Sequence, residues 1–114
     1  MSRIALVSLL VPDYDDAIAF FVDVLGFDLE QDRDEGRKRF VVVRPPGAET
    51  GLVLARADTA EQEAAIGNQL GGRVGFFLHT DDFGRDHARM TAAGVRFREE
   101  PRHEPYGIVA VWED

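Results

Sequence analysis

The chain has 114 residues, 45% of them hydrophobic and 30% charged, which suits one ordinary globular core and is too apolar for a disordered chain. Its 13 basic and 21 acidic residues leave a formal charge of −8, so a nucleic-acid backbone is repelled; the densest basic run, Arg37-Lys38-Arg39, follows Asp32, Asp34 and Glu35 and reads as a solvated hairpin. No cysteine is present, which excludes disulfides and thiolate chemistry, and no signal-peptide pattern or membrane-length apolar run is visible, so a cytoplasmic address without membrane contact is expected.

Residues Ile4 to Val11 form an apolar run of strand length, ended by Pro12, which has no ladder donor, and Asp13, a helix N-cap. From Tyr14 to Leu25, the residues Ala17, Ile18, Phe21, Val24 and Leu25 recur at helical spacing, with Asp15 and Asp16 in the first turn where the macrodipole favours them. Gly26 is the expected left-handed terminator. Three strands follow, Phe27 to Gln31, Arg39 to Arg44 and Gly51 to Arg56, separated by the charged turn Asp32 to Gly36 and the breaker Pro45-Pro46-Gly47.

Residues 58–71 read as a connector with a turn or two of helix. After it, Arg73 to Thr80 is strand-like and Asp81-Asp82-Phe83 again caps a helix, which runs from Phe83 to Ala93 and ends at Gly94. Strands are expected at Val95 to Glu99 and Gly107 to Trp112. The two halves repeat: Asp13-Tyr14 matches Asp82-Phe83 at an offset of 69, and Leu25-Gly26-Phe27 matches Ala93-Gly94-Val95 at 68. A one-residue difference inside the helix reconciles them, and such similarity marks a duplicated unit. The expected fold is therefore α+β: one domain over 1–114, built of paired βαβββ modules at about 1–57 and 72–114 that form a curved mixed sheet around a cup. By the repeat, the second module lacks its last strand in the chain as given.

The segment from Leu6 to Phe27, with Pro45-Pro46-Gly47, Ala92-Ala93-Gly94-Val95, Glu104-Pro105-Tyr106-Gly107 and Val109 to Asp114, resembles the vicinal oxygen chelate superfamily of glyoxalases, bleomycin resistance proteins and extradiol dioxygenases. The resemblance covers essentially the whole chain and implies a small-molecule ligand in the cup and a homodimer. Metal-using members hold a divalent ion with side chains from the first and last strands of each module. Those positions fall at Leu6, near Leu54 and near Gly75, with the fourth beyond Asp114. Leucine and glycine offer a cation no lone pair, so no metal and no other cofactor is expected.

Other candidates are few. His79 shares strand parity with Gly75 and Phe77, His87 lies four residues after Phe83 as a packed helix residue would, and His103-Glu104 precedes a turn. Ser8 is a polar group among Leu6 and Leu10, Tyr106 and Trp112 stand near the expected rim, and Arg44 and Arg56 end adjacent strands. The first reading is thus metal-independent small-molecule binding in an apolar cup lined by Leu6, Ser8, Phe40, Leu54, Phe77 and His79, with Tyr106 and Trp112 near its mouth. The alternatives are a lyase or dioxygenase whose metal is held by a rearranged set including His79, His103 or Glu104, and a protein-interaction module whose unfinished sheet pairs with a partner.

Overall fold

A computed structural model describes residues 1–113 and divides the chain into two compact units, Met1–Gly75 and Phe76–Asp114. The architecture is α+β, with mixed parallel and antiparallel pairing. In the first unit, strand β1 (Leu6–Val11) leads into helix α1 (Tyr14–Ile18), which continues as a π-helical turn over Ala19–Val24. Strands β2 (Asp28–Asp34), β3 (Arg39–Arg44) and β4 (Gly51–Arg56) follow, then the short helix α2 (Ala60–Ala65). The sheet order is β1-β4-β3-β2, with β1 parallel to β4 and the other pairs antiparallel. β2 runs to Asp34, three residues further than its apolar content suggests, because its tail pairs with the start of β3 while its charged side chains stay exposed.

Asp13 caps α1 by accepting from the Asp16 N–H at 2.8 Å. The π turn holds the extra residue that distinguishes the first half of the sequence from the second, since a wider turn absorbs one residue without ending the helix. Gly26, at φ 78°, then reverses the chain, and the Phe27 N–H bonds back to the Phe21 carbonyl at 2.9 Å. One face of the sheet packs on this helix. Leu9, Val11, Val41, Val43 and Leu54 are buried there with Ala17, Phe21 and Leu25.

At the edge of that core, the buried Tyr14 ring lies under the guanidinium groups of Arg39 and Arg56, 5.1 and 5.3 Å from its centroid. The Arg39 backbone N–H donates to the Tyr14 hydroxyl at 3.2 Å, and its side chain donates to Asp15 at 2.9 Å and Asp32 at 2.8 Å. The hydrogen bond from Arg39 holds the Asp32 carboxyl below its ordinary value of 3.8. A depressed carboxylate stabilises the fold above its unfolded value and loses that contribution as pH falls through the folded one. The stability difference between the wild type and Asp32→Asn should therefore be constant at neutral pH and vanish as pH drops below 3.8. Urea titrations across that range check this, and a difference that does not diminish as pH falls below 3.8 would contradict it.

In the second unit, helix α3 (Phe83–Ala92) precedes strands β5 (Arg96–Phe97), β6 (Arg102–Glu104), β7 (Gly107–Val109) and β8 (Trp112–Glu113). Asp82 caps α3 by accepting from the Arg85 N–H at 3.0 Å, and Gly94, at φ 88°, closes it. The four short strands are one interrupted hairpin: β5 pairs β8, β6 pairs β7, and the Arg98 N–H donates to the Val111 carbonyl at 2.8 Å between them. The expected strands Val95 to Glu99 and Gly107 to Trp112 are thus each shorter or split.

The expected strand from Arg73 to Thr80 is not formed, since residues 74–80 carry no regular structure. The first unit supplies the reason. There β1 draws its whole ladder from β4. Among the described residues of the second unit no strand stands in β4's place, and an extended segment with no neighbour has no ladder to join. Among the described residues, no helix is long and apolar enough to cross a membrane.

Candidate functional site

Strand register decides which side chains share a surface. Gln31 pairs with Val42, Val42 with Val53, and Val53 with Ser8. These four side chains form one row across the face turned away from α1, about 14 Å long at the usual strand spacing. An amide stands at one end, a hydroxyl at the other, and two valines between. Beside this row, Arg33 pairs with Phe40 on one flank and Leu10 pairs with Ala55, while Leu6 pairs with Gly51 on the other flank. Around the fully buried Val42, this face offers exposed Leu6 and Ser8 and half-buried Leu10, Phe40, Val53 and Ala55.

Glycine at position 51 shapes one end of the face. A Cβ there would come 3.2 Å from the guanidinium carbon of Arg44 and 3.0 Å from the Val43 carbonyl oxygen, so a side chain at this position would press both aside by a few tenths of an ångström. Arg44 is held in place by Glu30 at 2.7 Å and by the Glu49 carbonyl. Along the outer edge of β1, the Gln69 amide replaces a neighbouring strand: its oxygen accepts from the Leu10 N–H at 3.1 Å and its nitrogen donates to the Leu10 carbonyl at 2.6 Å. The Ser8 hydroxyl is bonded to no other group among the described residues.

Of the residues expected to line the cup, Leu6, Ser8 and Phe40 lie on this one face. Leu54 does not. It pairs with Leu9, which turns it toward α1, where it is completely buried. The apolar neighbours Val53 and Ala55 take the place expected of it, because side chains alternate along a strand and a one-residue shift exchanges the faces. Gln31, Arg33 and Val53 also lie on this face, which the sequence alone did not indicate. The parity of β4 is set by Leu6 lying opposite Gly51, a pairing that no local pattern announces.

Phe77, His79, Tyr106 and Trp112 belong to the second unit. Phe77 and Tyr106 are exposed, at 81% and 78%, and His79 is exposed. Trp112 is half-buried, pairs with Phe97 and meets Phe76 edge-on at 5.9 Å, so its ring packs within the second unit. His87 lies between Phe83 at 5.4 Å and Phe97 at 4.4 Å, as the helix spacing implied. His103 pairs with Ile108, whereas Glu104 pairs with Gly107 and is held by Arg102 at 2.8 Å. Adjacent strand residues face opposite ways, so His103 and Glu104 do not converge.

At three of the four positions where the family resemblance places chelating side chains, this chain offers no oxygen or nitrogen: Leu6 and the β4 residues Val53 and Ala55 are hydrocarbon, and Gly75 has no side chain. Among the described residues, no group of three or more His, Asp or Glu side chains is placed to hold a metal.

Residues 3–112 match the family model of the Glyoxalase/Bleomycin resistance protein/Dioxygenase superfamily. A protein of Shewanella frigidimarina (strain NCIMB 400), described as uncharacterized, is 52% identical over 111 residues, covering 95% of this chain and 82% of its own. The crystal structure of UcmS2 is similar with a TM-score of 0.82 at 29% identity, over 98% of this chain and 90% of that one. TnmS3, an antibiotic binding protein from Streptomyces sp. CB03234, is similar with a TM-score of 0.78 at 33% identity, over 100% of this chain and 88% of that one.

Proposed function

Because the chain belongs to the Glyoxalase/Bleomycin resistance protein/Dioxygenase superfamily, we propose that it binds a small, largely apolar molecule, such as an antibiotic, without a metal ion, and acts by sequestering it. The observation that carries this reading is the wall itself. Where a chelating relative needs donors, this chain presents Leu6, Val53 and Ala55, with Phe40 beside them. Such a surface favours hydrocarbon and aromatic contact through removal of apolar area from water. The unbonded Ser8 hydroxyl and the Gln31 amide supply the few polar contacts that orient a ligand. The likeness to an antibiotic binding protein supports the ligand class. The protein is proposed to act in the cytoplasm as a homodimer.

Titration of the purified chain with a panel of aromatic antibiotics and with the neutral dye N-phenyl-1-naphthylamine tests this. At least one should bind saturably and raise the melting temperature, because a ligand held only by the folded state stabilises it by about 2.7 kcal/mol at 100 times its Kd. Treatment with EDTA should leave both readouts unchanged. Binding that appears only after a divalent ion is added, or no saturable binding by any member of the panel, would overturn the reading.

A further inference from the structure

The face that carries the proposed binding has two guanidinium groups, and they are in different states. Arg44 is 22% exposed and fully engaged, with both Nε and Nη2 on Glu30 and Nη1 on the Glu49 carbonyl. Arg33 is 60% exposed and stacks over the Phe40 ring, 4.9 Å from its centroid. Its hydrogen bond is to Glu35 at 3.3 Å, between two exposed side chains. Exposed pairs of this kind contribute little and open readily. The other carboxylates nearby are turned away: Asp32 is held by Arg39 on the α1 side, and Asp34 accepts from the Gly36 N–H at 2.9 Å. Glu35 is the carboxylate bonded to Arg33 among the described residues, so an anion arriving along this face competes with it.

We infer that Arg33 determines specificity in this site, and that the ligand is a planar aromatic molecule carrying an acidic group, its ring over the half-buried Phe40, Val53 and Ala55 and its anion on Arg33. This rests on the proposed binding at that face. A guanidinium is planar and weakly hydrated, so it stacks on an aromatic ring while its edge N–H groups still bond an anion. The Phe40 ring lies under the Arg33 guanidinium, and pairing across β2 and β3 sets the two side by side. The molecule's net charge of −8 repels anions at long range, so the preference is local and short-ranged.

Two dyes of the same skeleton separate the contributions: 1-anilinonaphthalene-8-sulfonate, which carries an anion, and N-phenyl-1-naphthylamine, which does not. The wild type should bind the sulfonate more tightly, and Arg33→Gln should lower the ratio of sulfonate to neutral-dye affinity about five-fold, the size expected of one exposed charged contact. Arg33→Lys should recover only part of the affinity, and Glu35→Gln, which frees Arg33, should tighten the sulfonate. The preference should shrink as salt rises. If both dyes bind with equal strength and neither Arg33→Gln nor Glu35→Gln alters the ratio, this inference fails while binding at the face stands. If neither dye binds, this inference fails, and the proposed binding fails with it only when no antibiotic of the panel binds either.

Discussion

Arginine in place of Leu54 should unfold the protein, whereas arginine in place of Val53 should leave it folded and unable to bind. Leu54 is completely buried against α1, beside Leu9 and in the same core as Val41 and Val43. A charge forced there loses its hydration and gains no partner, at an effective cost of several kcal/mol. Domains of this size have about 5–15 kcal/mol in all. Val53 is half-buried on the opposite face, between Val42 and Ser8. A long side chain there keeps its charged end in water and lies across the valine row, displacing any ligand that covers it. Circular dichroism melts report the first effect and titration with N-phenyl-1-naphthylamine the second. A folded Leu54→Arg beside an unfolded Val53→Arg would mean the two faces are reversed; a folded Val53→Arg that binds as the wild type does would remove the row from the site.

That contrast between neighbours also marks how far the sequence could be read. Strands at Arg39–Arg44 and Gly51–Arg56 have the bounds that β-branched content and Pro45-Pro46-Gly47 imply, because local propensity and turn chemistry agree there. Gly26 and Gly94 end their helices in the left-handed region as expected. The unequal offsets of the repeat, 69 and 68, correspond to the π turn over Ala19–Val24. What depends on a distant partner was not legible. The orientation of Leu54 follows from which residue of β1 lies beside it, and alternation alone allows either face. Residues 74–80 have a strand's composition without a strand's neighbour. The role of Arg33 was hidden for a similar reason: in the sequence it belongs to a charged turn, and only pairing with Phe40 places it at the margin of an apolar surface.

Phe21→Ala should be the most destabilising single truncation in the first unit. Phe21 is 1% exposed and sits in the π turn, its ring 5.2 Å from Phe20 in a T-shaped contact and 5.5 Å from Phe27. Removing it takes away buried apolar area and leaves a cavity, because close-packed neighbours collapse only partly, at a cost of about 3–5 kcal/mol. For a domain near 100 residues this lowers the melting temperature by on the order of 20 °C. The same residue anchors the turn into β2, since its carbonyl accepts from the Phe27 N–H, but that backbone bond survives truncation of the ring. Phe21→Leu, which retains most of the volume, should therefore recover most of the loss. Urea unfolding of the two variants measures the difference. A cost below about 1 kcal/mol for alanine would mean that the ring fills no essential space, and the sheet would then owe its support on the α1 side to Ala17 and Leu25 instead.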